Sequence, residues 1–212
     1  IALEFAHHKA RLVLDDLQVK QDALEAVQNE IEQSGGAAVA VCADVRLEAD
    51  VSMLIEKAIS AYGRIDVLVN NAGIVYDVDW ETKTEGEWKD TMATNVIGPY
   101  LLIRAAREHL LASKGVVINI SSTNAFKAMS PFSLDYDASK AGLITLTHNA
   151  AKALAPDVRV NAIAPGWVDT PMNADLDAAI IKEETAKIFK GRFAAPEEIA
   201  TVASFLASDG AK

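Results

Sequence analysis

The sequence predicts a doubly wound α/β fold, a parallel sheet in three layers with helices covering both faces. Short, continuous apolar runs alternate with longer segments whose apolar residues recur about every three to four positions. A strand with one face in water would alternate apolar and polar residues, so the continuous runs indicate strands buried on both faces. Because a helix separates each strand from the next, the strands are expected to pair in parallel.

Each expected element follows from the position of an apolar run or stripe. Strands are expected over residues 10–14, 38–42, 65–69, 115–120 and 158–163, and helices over 1–8, 21–33, 48–62, 85–113, 136–154 and 197–207. The long helix is expected to bend near Gly98-Pro99, because proline lacks the amide and crowds the preceding turn. Residues 171–192 are polar and are expected to form a mobile helical lid. No repeat or linker interrupts this pattern, so residues 1–212 are expected to form one domain.

Composition excludes several classes of function. The chain has 212 residues, of which 50% are hydrophobic and 24% are charged, as in ordinary globular domains. A formal net charge of −10 argues against nucleic-acid binding. No apolar stretch approaches the roughly 18 residues of a membrane span, and the single cysteine, Cys42, is compatible with a reducing, cytoplasmic location. No metal site is expected, since His7-His8 and His109 lack partners at metal-binding spacing.

Polar residues follow the end of every expected strand. The carboxyl ends of parallel strands meet at one edge of the sheet, which is where doubly wound proteins bind their ligands. Each residue type is also common in ordinary turns, but five such turns on one edge together favour a ligand site. The candidates are Asp15-Asp16, Asp44, residues 70–73, Ser121-Ser122 and residues 165–170.

Tyr136 and Lys140 form the candidate proton-transfer pair. Their i, i+4 spacing stacks the two side chains on one helix face. A phenol with an ordinary pKa of about 10 becomes an acid or base near neutral pH only with about 4 kcal/mol of added stabilisation of the phenolate. A nearby ammonium supplies that much only at an effective dielectric near 20, so the site is expected to be partly desolvated. Ser122 ends an apolar run and is placed to hold a substrate oxygen.

Six segments extend this candidate site into an ordered set of motifs. They are NNAG at 70–73, TNVIG at 94–98, INISS at 118–122, YDASK at 136–140, NAIAPGWVDT at 161–170 and GRFAAPEEIA at 191–200. This set resembles the short-chain dehydrogenase/reductase family, in particular its 3-oxoacyl-(acyl-carrier-protein)-reductase-like subgroup, and covers nearly the whole chain. The resemblance implies a Rossmann-like fold and hydride transfer between a nicotinamide cofactor and a carbonyl or alcohol.

The resemblance also implies catalytic roles for individual residues. Tyr136 would be the proton donor or acceptor, and Ser122 would hold the substrate oxygen. Lys140 would contact Tyr136 and the nicotinamide ribose, and Asn95 would hold a water in a proton relay through Lys140. Ser121 is the alternative residue for holding the substrate oxygen, although Ser122 matches the family better.

The implied cofactor contacts lie along the same edge of the sheet. Asn71, Ala72 and Gly73 would let the backbone approach the cofactor, because glycine adds no side-chain bulk. Asp44 and Val45 resemble the adenine contact of the family, and Pro165, Gly166, Val168 and Thr170 resemble the clamp on the nicotinamide carboxamide.

Asp16 carries the expectation about which dinucleotide is used. An acidic side chain at the end of its strand can accept hydrogen bonds from the adenosine ribose hydroxyls. A 2′-phosphate would be repelled there, and no Arg or Lys follows at once. NAD(H) is therefore expected, with NADP(H) as the alternative. Asp15 is the poorer partner, because successive side chains of a strand point oppositely.

One departure from the family concerns the ends of the chain. The family's first strand and glycine-rich turn are not found before Ile1, and its last strand is not found before Lys212. The sequence is therefore expected to be part of a longer protein that contains these elements. The first strand would lie between the strands at 10–14 and 65–69, so their facing edges are expected to remain unpaired.

Three functions remain open at this point. The first is an NAD(H)-dependent dehydrogenase of a small secondary alcohol, and the second is an NADPH-dependent 3-oxoacyl-(acyl-carrier-protein) reductase. The third is a non-catalytic family member that serves as an oligomerising scaffold. A basic patch would favour the second function, because a carrier protein is acidic, and the sequence offers only Lys127, Lys182 and Lys187 near the site.

Two further expectations concern surfaces. The resemblance implies that the helices at 94–112 and 136–154 pair across a two-fold axis in a homodimer or homotetramer. Their small and apolar residues include Ala105, Ala106, Ala141, Leu143, Leu146 and Ala150. Apolar side chains in the loops beside the site either wall a substrate pocket or pack beneath the lid; they are Phe126, Met129, Phe132 and Trp167.

Overall fold

The computed structural model describes residues 1–127, 131–173 and 176–212. Five parallel strands form the centre of the described chain: β1 (Arg11–Asp16), β2 (Ala37–Cys42), β3 (Val67–Asn70), β4 (Val116–Ile120) and β5 (Arg159–Ile163). The strands alternate with helices, as the sequence predicts. The fold class is therefore confirmed.

Eight α-helices cover the strands within the described ranges. They are α1 (Ala2–His7), α2 (Gln21–Gln33), α3 (Glu48–Tyr62), α4 (Glu85–Met92), α5 (Gly98–Ser113), α6 (Leu134–Leu154), α7 (Ala178–Lys187) and α8 (Pro196–Ala207). α7 and the short 3₁₀ turn Pro171–Asn173 lie in the segment expected to form a lid, and residues 174–175 of that segment are outside the described residues. Across the described ranges, no helix has both the length and the apolar character that a membrane crossing requires.

Two boundaries differ from the sequence-based expectation in ways that affect the site. β1 extends through Asp15 and Asp16, which pair with Val41 and Cys42, so these aspartates lie in the strand and not in the following turn. The expected bend near Pro99 is a π-helical turn over Ala93–Ile97 that separates α4 from α5. Because Pro99 has no amide to offer the carbonyl of Asn95, the α-helical pattern cannot continue through this point.

The five strands form two sheets. β1 pairs only with β2, and β3 pairs with β4, which pairs with β5, among the residues that the structure describes. β1 and β3 do not pair with each other, which confirms the expectation that their facing edges remain open.

Side chains join the two sheets where hydrogen bonds do not. On one face, Phe5 of α1 packs in a cluster with Leu12 of β1 and Val67 of β3. On the other face, Val13 of β1 and Leu68 of β3 pack in a cluster formed mainly by α3 and α5. Burial of apolar side chains therefore holds the sheets side by side, with their carboxyl ends on the same edge.

Candidate active site

α6 carries the central residues of the site. Tyr136 and Lys140 lie in its first two turns, where the sequence placed them, and the Lys140 ammonium stands 5.5 Å from the centre of the Tyr136 ring. Lys140 is only 4% exposed and donates a hydrogen bond to the carbonyl of Ile120, at 2.8 Å. Burial lowers the pKa of Lys140 to about 8, so this side chain can change its charge close to neutral pH.

Tyr136 is half-buried and contacts the predicted serine. Burial raises the pKa of Tyr136, and a hydrogen bond with the Ser122 hydroxyl only partly offsets it. Nearby Asp137 and Asp77 raise the pKa further, because a phenolate would be repelled by their carboxylates. The free protein therefore keeps Tyr136 protonated, in the form that can donate a proton to a substrate oxygen.

The two adjacent serines have different environments. The Ser121 hydroxyl donates to the carbonyl of Lys140, at 2.9 Å, and is buried beneath α6. The Ser122 hydroxyl lies beside Tyr136 and also contacts Asn124, which donates to the carboxylate of Asp137, at 2.6 Å. Ser122 therefore contacts the Tyr136 phenol, whereas the hydrogen bond of Ser121 holds α6 against the end of β4.

Asn95 lies in the π-helical turn and is completely buried. Its amide nitrogen donates to the carbonyl of Ile74 and to the hydroxyl of Ser139, at 2.9 and 3.0 Å, and its oxygen accepts from the amide of Ile74, at 2.9 Å. The Ser139 hydroxyl in turn donates to the carbonyl of Tyr136, at 2.7 Å. Sequence reasoning missed Ser139, because a serine between Tyr136 and Lys140 carries no distinctive pattern.

Gly73 allows the backbone to pass close to these groups. A Cβ atom at this position would lie 3.3 Å from Nζ of Lys140 and 3.4 Å from Oδ1 of Asn95. Asn71 and Ala72 precede it on an exposed segment. Residues 71–73, which are predicted to let the backbone approach the cofactor, therefore border both Lys140 and Asn95. At position 73 only glycine fits without displacing one of these two side chains.

A buried row of polar side chains fixes the middle of α6, and the sequence analysis did not identify it. Asn70 donates to Asn119, at 2.7 Å, and Asn119 donates to Thr147 of α6, at 2.8 Å. The side-chain oxygen of Asn70 has no hydrogen-bond partner within the described ranges. Because buried polar atoms usually have a hydrogen-bond partner, this oxygen carries an uncompensated desolvation cost at the carboxyl end of β3.

The two aspartates at the end of β1 face opposite ways, as a strand requires. Asp16 is exposed, and its carboxylate accepts a hydrogen bond from the amide of Leu17, at 2.7 Å. Asp15 is half-buried, and one of its oxygens has no partner among the described residues. Burial, together with the neighbouring Asp16 carboxylate, raises the pKa of Asp15 to about 7.

Asp44 and Val45, the expected adenine contacts, lie beyond the end of β2. The Asp44 carboxylate accepts from the guanidinium of Arg46, at 2.7 to 3.0 Å, and these hydrogen bonds lower its pKa. Val45 is buried, and a Cβ on Gly98 would come within 2.9 Å of its Cγ2. Its side chain therefore belongs to the core, and only the backbone of Val45 is placed to meet a ligand.

The expected carboxamide clamp follows β5. Pro165 accepts a hydrogen bond from the amide of Thr123, at 2.9 Å, and Val168 forms a β-bridge with Ala194. A Cβ on Gly166 would meet nothing within 4 Å, so this glycine borders open space. Thr170 is half-buried just before the 3₁₀ turn.

The open question about the loop aromatics is answered for Trp167. Its ring stacks on Phe193, with centroids 5.3 Å apart, and its Nε1 donates to Glu184 of α7, at 3.1 Å. Trp167 therefore packs beneath the segment expected to be the lid. Phe126 and Phe132 are exposed, and Met129 lies outside the described residues.

The residues present fit a nicotinamide dinucleotide. The Gly73 backbone passes beside a buried ammonium with no side chain between them, and two buried acceptor oxygens, on Asp15 and Asn70, lack partners among the described residues. An exposed carboxylate at the end of β1 lies on the same edge of the sheet as Tyr136 and Lys140. Chemically, the edge combines a proton donor with positions suited to a large polar ligand.

Comparison with known proteins decides the family. The family model described as enoyl-(acyl carrier protein) reductase matches residues 1–212. The chain therefore belongs to the short-chain dehydrogenase/reductase family. It is 34% identical to the 3-oxoacyl-(acyl-carrier-protein) reductase of Thermotoga maritima, over 98% of this chain and 84% of that protein. It is 36% identical to the reductase of the same name from Staphylococcus aureus, over 100% of this chain and 86% of that protein.

Solved structures of the family superimpose closely on this one. A dehydrogenase/reductase from Sinorhizobium meliloti 1021 has a TM-score of 0.93 and 36% identity, with 100% of this chain and 83% of that chain covered. A blue fluorescent protein from a metagenomic library, solved in complex with NADPH, has a TM-score of 0.91 and 31% identity, with 100% and 85% covered. This family member is accordingly an NAD(P)-dependent oxidoreductase that acts on CH–OH or keto groups of small molecules.

Proposed function

We propose that this chain interconverts a small secondary alcohol and its ketone with NAD(H), and that Tyr136 is the general acid and base. The observation that carries the proposal is the pairing of a half-buried Tyr136, hydrogen-bonded to Ser122, with a Lys140 whose pKa is about 8. One domain, residues 1–212, supplies both the cofactor site and the substrate site. The free Cys42 suits a reducing compartment, and the cytoplasm is the proposed location.

The proposed chemistry separates the hydride from the proton. The nicotinamide, when bound, supplies the hydride to the carbonyl carbon in the direction of reduction. Ser122 and Tyr136 hold the carbonyl oxygen, and the phenol transfers its proton to that oxygen, so the product is a neutral alcohol. Lys140 stands beside the ring with a pKa near 8 and returns a proton to the phenolate. Asn95 keeps one acceptor position on its oxygen for the proposed relay water.

The dinucleotide would lie along the edge from β1 to the turn after β5. The Asp16 carboxylate would accept hydrogen bonds from the adenosine ribose hydroxyls. Asp44 and the Val45 backbone would face the adenine. Residues 71–73 would support the middle of the cofactor. The remaining contacts, on the nicotinamide carboxamide, are assigned to Pro165, Gly166, Val168 and Thr170. The exposed carboxylate of Asp16 supports NAD(H) as the cofactor. NADP(H) is the alternative, because the similar blue fluorescent protein was solved in complex with NADPH.

A second candidate function is that of an NADPH-dependent 3-oxoacyl-(acyl-carrier-protein) reductase, which the names of the relatives favour. Such an enzyme would dock an acidic partner on basic side chains. Lys127 and Lys182 are exposed, but Lys187 pairs with Glu183 and Glu184, at 2.8 and 2.7 Å. This limited positive charge makes a free small molecule the better-supported substrate. The non-catalytic scaffold is the third candidate and lacks an observation in its favour.

We also propose that the chain forms a homodimer or homotetramer. Ala106, Leu143 and Ala150 were expected at the interface, but they are buried in the core of the single chain and cannot form it. Exposed apolar side chains that remain on α5 and its preceding turn include Ile97 and Tyr100. Sedimentation at micromolar concentration would show a dimer or larger species, and a monomer would contradict the proposal.

The decisive experiment compares wild type and Tyr136→Phe across a panel of ketones and secondary alcohols, followed by nicotinamide absorbance. Loss of the hydroxyl should lower kcat by about 10²- to 10⁴-fold, the usual contribution of general acid catalysis. Dinucleotide affinity should not change, because the ring remains. Tyr62→Phe, which removes a hydroxyl at the end of α3, is the matched control and should retain full activity. A Tyr136→Phe enzyme with near wild-type kcat would exclude the proposed role.

A further inference from the structure

A buried ion pair lies directly beside Tyr136 and has no part in the proposed proton transfer. The Lys83 side chain is 1% exposed and that of Asp135 is 0% exposed. Nζ of Lys83 donates to Oδ1 of Asp135 and to the carbonyl of Tyr76, both at 2.5 Å. Thr91 donates its hydroxyl to the other carboxylate oxygen, at 2.7 Å. Every side-chain oxygen of Asp135 thus has a partner.

Stability alone does not account for such a pair. Removing two charges from water costs several kcal/mol per ion, and well-packed apolar side chains of similar volume often give equal or greater stability. The carboxyl of Asp135 is nevertheless ionised: burial opposes its charge, but hydrogen bonds from Lys83 and Thr91 outweigh burial and lower its pKa. An interaction that is expensive to form and fully satisfied points to a requirement for one fixed geometry.

The pair joins three segments that meet at the site. Lys83 immediately precedes Thr84, the N-cap of α4, where a reciprocal capping box with Glu87 fixes the backbone. Its second acceptor, the Tyr76 carbonyl, belongs to the loop that follows β3 and Gly73. Asp135 lies in the first turn of α6 and is followed directly by Tyr136. The Lys83 ammonium therefore ties that loop and the start of α4 to the residue before the phenol.

A second connection holds Tyr136 from the other side. The carbonyl of Tyr136 accepts from Ser139, and Ser139 accepts from Asn95, which is itself bound to the backbone of Ile74. Both connections start in the loop after β3 and end within one residue of Tyr136. Because the charges of Lys83 and Asp135 cancel at close range, the ion pair affects Tyr136 through position more than through its electric field.

We propose that Lys83 and Asp135 are positioning residues that hold the first turn of α6, and with it the Tyr136 phenol, against the loop after β3. The proposal rests on the proposed function, since it assigns the geometry that the proton transfer needs. A displacement of about 1 Å in a reacting group can cost about 10²-fold in rate. Loss of the pair is therefore expected to lower kcat more than it changes the KM for the dinucleotide.

The test compares Lys83→Met with the double variant Lys83→Met/Asp135→Asn, using whichever ketone of the panel the wild type reduces best. Lys83→Met leaves a buried unpaired carboxylate, so both Tm and kcat should fall. The double variant removes that charge and should recover most of the Tm. Its kcat should stay about ten- to a hundredfold below wild type, because the tie to the Tyr76 carbonyl is still missing. Lys89→Met, an exposed lysine of α4, is the matched control.

The outcomes separate positioning from support of the fold. If kcat of the double variant returns to wild type together with Tm, the pair only stabilises the protein and the proposal is wrong. Amide hydrogen exchange over residues 134–137 gives a readout that needs no turnover. Faster exchange there in the double variant, but not in Lys89→Met, supports the proposal, and unchanged exchange overturns it. An inactive wild type that still shows this loss of protection would count against the proposed reaction alone.

Discussion

The two halves of the active-site edge are built differently. Around Tyr136 and Lys140, α6 is held by side-chain hydrogen bonds to β4, to the π-helical turn and to the loop after β3. Around Asp15 and Asp16, the end of β1 carries one exposed carboxylate and one buried carboxylate oxygen without a partner among the described residues. The first half, here called the proton-transfer half, is prepared by the chain itself. In the second, the nucleotide half, the carboxylates of Asp15 and Asp16 can still accept hydrogen bonds from a ligand.

This difference indicates where a ligand can change the protein. Buried polar groups with all partners in place resist rearrangement, because moving any one of them leaves another unsatisfied. Buried groups without partners carry a desolvation cost that a hydrogen-bonding ligand can remove. We therefore expect mutations in the proton-transfer half to act on kcat. Mutations in the nucleotide half should act on cofactor affinity, cofactor choice and stability.

Among the substitutions that test this comparison, the largest effect is expected for Asp16→Ser in the nucleotide half. A 2′-phosphate brings up to two negative charges toward Asp16, and each costs about 1 kcal/mol at about 4 Å in a water-like medium. The ratio of kcat/KM for NAD(H) to that for NADP(H) should fall by about thirtyfold when the carboxylate is removed.

Steady-state kinetics with both cofactors measures this ratio directly. Asp22→Ser removes an exposed carboxylate from the first turn of α2 and should leave the ratio unchanged. A wild type that prefers NADP(H), or an Asp16→Ser enzyme with the wild-type ratio, would show that Asp16 does not set the choice.

The contrast between the halves also explains what the sequence could predict. α2 and α3 begin and end where expected, because an apolar stripe defines each helix and a glycine with positive φ stands at or just beyond its end, at Gly35 and Gly63. Tyr136, Lys140 and Ser122 also meet as expected, because short motifs follow successive parallel strands. These features depend on local pattern and on the edge that parallel strands share.

Features that depend on distant partners were missed. Lys83 and Asp135 are 52 positions apart, and each looks like an ordinary surface charge in its own segment. The π-helical turn was expected only as a bend, since Pro99 indicates that the helix is interrupted but not which hydrogen-bond pattern replaces it. Asn70, Asn119 and Thr147 likewise become a connected row only when β3, β4 and α6 pack together.

A smaller effect is expected for Gly73→Ala, at the boundary between the two halves. The added methyl group would lie 3.3 Å from Nζ of Lys140 and 3.4 Å from Oδ1 of Asn95, so one of these buried groups must move. Overpacking of this kind costs about 1 to 3 kcal/mol of stability. Because a misplacement of about 1 Å can cost about 10²-fold in rate, we expect a smaller displacement here to lower kcat/KM by about tenfold.

Gly86→Ala provides the matched control for that substitution. Gly86 lies in the first turn of α4, where an added Cβ makes only an ordinary contact, 3.7 Å from Oγ1 of Thr84. This variant should keep full activity and should gain up to about 1 kcal/mol of stability, since alanine favours helix. If Gly73→Ala also keeps full activity, the proton-transfer half is less tightly packed than its distances indicate.

The smallest effect is expected from the buried carboxyl of the nucleotide half, through the pH dependence of stability. Burial and the neighbouring Asp16 raise the pKa of Asp15 from its ordinary value of 3.8 to about 7 in the folded protein. Between these two values the folded state holds a proton that the unfolded state has released. The free energy of unfolding therefore falls as pH rises through this window and stays low above it. Asp15 is only half-buried, so solvent screening should reduce the effect to about 1 kcal/mol.

Asp15→Asn removes this titration while keeping the shape of the side chain. At pH 8 the variant should be more stable than wild type by about 1 kcal/mol, a rise in Tm of about 2 to 4 °C for a chain of this size. Near pH 4 most of the difference should vanish, because wild-type Asp15 is then neutral in the folded state and, at its ordinary pKa of 3.8, only about 60% ionised in the unfolded state. Thermal unfolding from pH 4 to 8, with Asp22→Asn as an exposed control, measures both limits. A constant difference across this range would mean that Asp15 does not titrate there. In that case burial of its carboxyl would not destabilise the free protein, and a bound dinucleotide could not stabilise the nucleotide half by compensating for it.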